Sequence, residues 1–425
     1  MEYSQFFELA KEKGITNLQI TEKHTINSSV EIIDGRIDSY EDTDDKNYSI
    51  KAEFNNKTVK SRSNYLSADI IDTIIMKAKE TDSEYQDEYL IKRKNHLPNK
   101  PLEIDISNEL KELKEIKKWK EKYPLLMKLT TYFSEKYQNT RIINSNGVDI
   151  STDTHLCSLI VEAIIENGEN RVSFDKKLLT TNKKEIKFDE FIENIIEKAI
   201  IQSTREKLET RKYDIVLDSS VSGNILDKIV TMLSATSIRN KVSCLENALN
   251  EQIFNEQLTV IEDPTNKNYP GYRLFDDEGT ITKKKTIIEQ GKVLSFLYNV
   301  KEAKINNIDS TGNGYNGIET RNMYILPGKL SEEEIIKKVK DGIYITDYMG
   351  ASGTSINCVN GGISLQVFGF RIKDGKIISG IEPAIMTTTI FELYSNIAEI
   401  GKELIFTNVS SASPTLLIKD ISIVG

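Results

Sequence analysis

Glycine is the residue that most constrains this chain. Of its 22 glycines, four (at positions 14, 35, 147 and 168) precede Tyr213, and the other 18 follow it. Glycine takes positive φ without a Cβ penalty and lets two backbones approach closely. A half dense in glycine is therefore expected to consist of tight turns and close strand contacts, and a half nearly free of it of longer regular elements. The sequence predicts an α+β fold of two domains: an N-terminal α+β domain over residues 1–205 and a C-terminal β-rich, barrel-like domain with a few helices over 213–425. The polar run QSTREKLETRK (202–212) joins them.

The stretch Gly342 to Pro383 concentrates this signal. Ile343, Tyr344, Ile345 and Tyr348 suit one pleated strand, and Ile363, Leu365, Val367 and Phe370 suit a second. Between them lies GASGTSINCVNGG (350–362). Gly350, Gly353, Gly361 and Gly362 are candidate contacts for an extended backbone, because a chain without side chains can be approached closely. Lys373-Asp374-Gly375-Lys376 reads as a hairpin turn.

The remaining elements follow from turn and cap signals. Residues 4–13 read as a helix closed by Gly14. Strand-like segments lie at 17–20, 28–33 and 49–54, with Asp34-Gly35 as a hairpin turn. Ser67 caps a helix whose stripe is Ile70, Ile71, Ile74, Ile75 and Ala78. Residues 81–103 read as a loop, and a charged helix from Ser107 is expected to break or kink at Pro124. Asn146-Gly147 and Asn167-Gly168 mark two further hairpins. Phe188 to Ile200 carries a helical stripe. In the second half a strand is expected over 213–217 and a helix from about 223. Short strands and turns should fill 251–325, and Ser331 with Glu334 forms a capping box whose helix Gly342 ends. Another helix is expected over 388–400, and a final strand over 415–424.

Composition excludes several classes. Apolar residues make up 38% and charged residues 28%, and no 18-residue apolar run exists, so no membrane span is expected. The start, MEYSQFFELAKEKG, has no apolar signal core, and three distant cysteines, Cys157, Cys244 and Cys358, suit reduced thiols, so a cytoplasmic location is expected. A net charge of −9 and a pI near 5.3 argue against direct nucleic-acid binding.

Chemistry-bearing motifs are sparse. The three histidines, His24, His96 and His155, have no histidine partner at helical spacing, and no HExxH run occurs. His155 and Cys157 share one strand face, but two ligands do not make a metal site. The histidines all lie in the first half, away from the glycine-rich half, and neither a GxSxG elbow nor a phosphate-binding GxxxxGK[ST] loop is present. Asp276, Asp277 and Glu278 form an acidic turn able to hold a cation or a peptide amine. No catalytic or metal-binding residue is predicted in this chain, and no cofactor.

A resemblance covers nearly all of the chain, and its markers lie in the second half. LFDDEGT (274–280), the Gly291–Leu294 strand, STGNG (310–314), RNMYILPG (321–328), DGIYITDYMGASGTSINCVNGGISLQVFGFRIKDGKI (341–377) and PTLLIKDISIVG (414–425) follow in order. The chain resembles the TldD/PmbA family, labelled a modulator of DNA gyrase and understood as a cytosolic metallopeptidase system. TldD-type members carry an HExxxH zinc helix and a cysteine ligand near the C-terminus. Here the corresponding helix, SSVSGNILDKIV (219–230), has no histidine, and FTNVSSASPTLL (406–417) has no cysteine. The resemblance thus implies a PmbA (TldE)-type subunit. It would pair as a heterodimer with a zinc-bearing TldD-type paralogue, or as a homodimer, and act on unfolded peptides in degradation or maturation. Two other readings stay open: a metallopeptidase with unusual ligands, and a non-enzymatic regulator of a topoisomerase or another partner. A proteolytic chamber needs strand edges able to pair with an extended substrate, and the glycine-rich stretch is a candidate for one.

Overall fold

The computed structural model describes residues 1–80, 94–95, 104–115, 117–349 and 355–425. Helix α1 (Tyr3–Glu12) gives way to Gly14 at φ +86°. Strands β1 (Asn17–Ile33), β2 (Arg36–Phe54) and β3 (Lys57–Ser63) form a meander, and α2 (Ala68–Glu80) packs over it. Asp34 and Gly35 turn the first hairpin, both at positive φ. Ile70, Ile71, Ile74 and Ala78 of α2 are buried with Phe6, Ile20 and Ile50, the stripe expected from sequence. Each such aliphatic contributes roughly 1.5–3 kcal/mol by leaving water.

Strands β4 (Leu126–Asn144), β5 (Asp149–Asn167) and β6 (Asn170–Thr180) extend the same sheet in the order β3-β2-β1-β4-β5-β6. Their turns carry Gly147 and Gly168 at positive φ, at the two Asn-Gly signals. Helix α3 (Phe188–Gln202) buries Ile192, Ile195, Ile196 and Ala199 against β5 and β6.

Two expectations in this half need correction. The strand-like segments 17–20 and 28–33 are one continuous strand, because the polar residues Thr21–Asn27 are paired on both sides, by β2 and by β4. The charged helix from Ser107 is two short helices, Ser107–Leu113 and Lys117–Lys122, the second ending before Pro124. The loop expected over 81–103 lies outside the described residues, apart from Lys94–Asn95, which pair with Asp149 and Ile150.

The second half is organised around a closed barrel. Its strands are β7 (Arg211–Leu217), β8 (Asp341–Met349), β9 (Gly362–Lys373), β11 (Ala384–Thr389) and β12 (Leu416–Val424). The hairpin strand β10 (Lys376–Ile381) lies outside the ring beside β9. The ring runs β8-β7-β12-β11-β9 and returns to β8. Closure leaves none of these five strands with a fully unpaired edge. Ile215, Leu217, Ile343, Ile345, Leu365, Val367, Met386 and Ile418 form part of one buried core. Only glycine fits at position 369, where a Cβ would lie 1.9 Å from the Tyr344 carbonyl oxygen of the adjacent strand. Helix α4 (Ser219–Leu233) follows β7 directly and packs one side into that core.

The capping box at Ser331 and Glu334 is present, but its helix ends at Lys337, and Gly342 belongs to β8. The helix expected over 388–400 is instead the end of β11, a helical turn at Ile390–Ser395 and a strand at Ile397–Ile400. Thr387–Thr389 are claimed by pairing with β9. Two features link the halves on either side of residues 205–213. Leu179 of β6 pairs with Phe406, which makes the large sheet continuous, and one core cluster holds Phe133 and Phe174 together with Tyr344 and Phe370. Among the described residues no helix is long and apolar enough to cross a membrane.

Candidate functional site

A cleft of about 590 Å³ opens where β6, the start of α4 and the end of β8 meet. Lys176, Ser220, Asn224, Thr346, Asp347 and Asn408 are among its lining residues. The strand directions matter here. β6 is paired with β5 along its length, but on its other side it meets a strand only at Leu179. β8 pairs with β7 only as far as Ile345, so Asp347–Met349 are paired on the β9 side alone, with Thr346 standing in a bulge before them. Among the described residues, then, two stretches of strand edge border this cleft, and their backbone groups are of the kind an extended chain can pair with.

A buried charge network fixes this corner. Asp218 caps α4, one carboxylate oxygen accepting from the Ser220 N–H at 2.9 Å. The Lys176 ammonium sits 2.8 Å from that oxygen, and the Tyr344 hydroxyl donates to the other at 2.8 Å. Burial alone would push the Asp218 carboxyl up, but the Lys176 and Lys198 ammoniums hold it well below the usual carboxylate range. Lys176 also donates to the Thr346 carbonyl, at 3.3 Å, tying β6 to β8.

Behind the cleft, α4 packs on the short strand Ser411–Ser413. The helix and the C-terminal segment that sequence singled out as the metal-bearing regions of TldD-type chains are thus neighbours. Their facing groups are mostly hydroxyls, with one carboxyl, that of Asp227, bonded to the Ser411 hydroxyl. Ser222 Oγ lies 2.7 Å from Ser413 Oγ, and the Ser411 hydroxyl donates to the Gly223 carbonyl at 3.0 Å. Asn408 Oδ1 accepts from the N–H groups of Ser410 and Ser411, and the Asp227 carboxyl is pushed up by burial. Zinc takes thiolate, imidazole and carboxylate ligands. Hydroxyls already bonded to each other and to backbone do not fit that need.

The acidic turn separates into three roles. Asp276 is fully buried and accepts from the backbone N–H groups of Glu278, Thr280 and Gly314 at 2.8–3.0 Å, so it locks two loops together and is not open to a ligand. Burial and the neighbouring Glu278 push its carboxyl up to about 7, against the pull of those three donors. Asp277 bridges to Arg273 at 2.9 Å, and Glu278 accepts from the Val300 N–H at 2.8 Å. Both line a second cavity, of about 500 Å³, shared with β1, β2 and β3.

Gly350 and Gly353 lie outside the described residues. Gly361 has φ +75°, and a Cβ there would come within 3.0 Å of the Phe391 ring, so it serves a tight turn against the barrel wall. Gly362 opens β9. Neither borders the two cavities, so the acidic turn and this glycine pair do not form one site.

A third ligand joins His155 and Cys157. Glu135 lies opposite Cys157 on β4, and one donor atom from each of the three residues falls within 4.8 Å of the others. His155 Nε2 is 2.8 Å from Glu135 Oε1, while its Nδ1 faces the Thr181 carbonyl at 3.0 Å. The donor types suit zinc, but the Lys183 ammonium stands 2.8 Å from Glu135 Oε2 and already supplies a positive charge. Burial pushes the Cys157 thiol up to about 12, so it is protonated at neutral pH.

Sequence reasoning did not find Lys176, Asn224, Asp347 or Asn408. These are single polar residues from four distant segments: the Asn167-Gly168 hairpin predicts the strand carrying Lys176, the 343–348 strand carries Asp347, and Asn224 and Asn408 lie in 219–230 and 406–417, but no motif joins the four.

Residues 210–425 match the PmbA/TldA metallopeptidase C-terminal domain, and residues 99–203 the PmbA/TldA metallopeptidase central domain. The chain is 28% identical over 269 residues to a Buchnera aphidicola (subsp. Acyrthosiphon pisum) protein named metalloprotease PmbA homolog, covering 63% of this chain and 56% of that one. It is 28% identical over 202 residues to a metalloprotease of Archaeoglobus fulgidus, covering 46% of each. The chain spans about half the length of the curated relatives it matches. Two solved structures share the fold. One is a Thermotoga maritima protein that carries the name modulator of a DNA gyrase, with TM-score 0.86 and 22% identity, over 99% of this chain and 98% of that one. The other is TldE from Thermococcus kodakarensis, with TM-score 0.84 and 17% identity, over 99% of both chains.

Proposed function

Because this chain belongs to the PmbA/TldD metallopeptidase family, we propose that it is the TldE-type, zinc-free subunit of a two-chain peptidase. A TldD-type paralogue carries the metal. This chain holds an extended, unfolded peptide in the cleft between β6 and β8, using backbone pairing that reads no particular side chains. The observation that carries the reading is the contact between α4 and Ser411–Ser413, where Ser222 and Ser413 bond to each other at 2.7 Å. We further propose that the assembly is cytoplasmic, and that residues 1–205 and 213–425 are two domains joined through the sheet and core cluster they share, the first supplying the β6 edge and the second the barrel.

Co-expression with a zinc-bearing family member tests this. The two chains should co-purify, cleave an unfolded peptide and lose that activity on chelation, all the metal residing in the partner. Failure to associate, with cleavage unaffected by this chain, would sink the proposal.

A further inference from the structure

The cavity beside the acidic turn, like the cleft beside β6, is lined by more cations than carboxylates. The chain carries a net charge of −9, yet Lys23, Lys51, Lys60 and Arg62 line this cavity against two carboxylates, Asp277 and Glu278. The cations come from the face of the β1-β2-β3 sheet, and the acids from the 276–279 turn. Gln19 on β1 donates to the Asp277 carbonyl at 3.2 Å, which joins the two parts of the lining.

Asp277 offsets Lys23, but its carboxylate is bridged to Arg273. Burial lowers the Lys23 pKa, and Arg273, Arg321 and Lys136 lower it further. A bound anion would relieve that crowding.

We propose that this cavity is a binding site for a short zwitterionic peptide, its C-terminal carboxylate held by Lys23 and Arg62 and its amino group placed toward Asp277 and Glu278. The volume of about 500 Å³ lies within the range of small-ligand sites. Arg presents a planar fork that matches a carboxylate, and Lys adds a point charge. The choice of a peptide over another zwitterion rests on the peptidase reading; the charge arrangement does not.

Calorimetric titration of the purified chain alone, without zinc or a partner, tests this with four probes: trialanine, its C-terminal amide, its N-acetyl form and inorganic phosphate. Trialanine should bind, and the amide should bind about tenfold or more weakly, the loss of one charge-assisted pair. Acetylation should weaken binding by a smaller factor. Lys23→Met and Arg62→Met should each reproduce the loss seen with the amide while keeping the wild-type melting temperature. Should either variant fail to fold, the blocked peptides decide the matter on the wild-type chain. Equal affinity for all three peptides, binding of phosphate alone, or no binding at all would overturn the proposal. Trialanine binding by a chain that assembles with no zinc-bearing partner would keep this site and refute the peptidase reading. Assembly and cleavage without trialanine binding would do the reverse.

Discussion

Two regions of this molecule each hold half of a metal centre. Glu135, His155 and Cys157 have the donor chemistry, with atoms within 4.8 Å of one another, but the Lys183 ammonium already neutralises Glu135 and none of the three lines either cavity. The junction of α4 with Ser411–Ser413 lies beside an open cleft, but it offers hydroxyls and a single carboxyl, that of Asp227. Donor types alone therefore do not identify a catalytic metal site. A catalytic zinc needs charged or imidazole ligands and an open position together, and among the described residues the two requirements are met in different places.

The largest expected effect comes from removing the cation that fills the first region. Lys183→Met leaves Glu135 and the buried Glu109 without their ammonium. Breaking such a pair should cost about 2 kcal/mol, below the fully buried range because the Lys183 side chain is 22% exposed. Denaturant melts at neutral pH measure it. An unchanged midpoint would mean that Lys183 is a spectator and the contrast between the two regions is weaker than drawn.

The second region is probed by the serine pair. Ser413→Ala alone should cost about 1 kcal/mol, because Ser222 keeps a buried hydroxyl without that partner. The double variant with Ser222→Ala should cost little more than the single one, since both ends of the bond are then gone. Strict additivity in a double-mutant cycle would contradict a direct hydroxyl pair.

A smaller effect is expected from pH. The hydrogen bond that His155 donates to the Glu135 carboxylate raises the His155 pKa above 6.5, with burial opposing. A raised folded value means that the stabilisation is complete below pH 6.5 and is lost as pH rises through the folded pKa. The melting temperature of the wild-type chain should therefore fall with rising pH above 6.5 more steeply than that of His155→Gln. Parallel curves would show that the pair carries no linkage.

Much of this fold was legible because short-range chemistry specifies it. Asp34-Gly35, Asn146-Gly147, Asn167-Gly168 and Asp374-Gly375 each form the hairpin their sequence demands. Most stripe residues on α2 and α3 are buried as their spacing selects, with Ile75, Phe191 and Ile200 half-buried at the margins. What failed was whatever depended on a partner far along the chain. Thr21–Asn27 look like a break in a strand until β2 and β4 flank them, and Thr387–Thr389 become strand through β9. Glu135 meets Cys157 only through the register of β4 against β5. The cleft is harder still, because it joins β6, α4, β8 and the 407–408 loop, and no motif spans them. The acidic turn illustrates the limit within three residues: Asp276 is a structural lock, whereas Asp277 and Glu278 reach a cavity.

The central claim is that this chain contributes a peptide-holding cleft and no zinc. The most direct test is elemental analysis of the purified chain, paired with a peptide-cleavage assay before and after addition of a zinc-bearing family member. The account predicts no stoichiometric zinc and no cleavage by the chain alone, with chelator-sensitive cleavage appearing on mixing. One zinc per chain, lost together with cleavage by the unmixed chain on chelation, would contradict it.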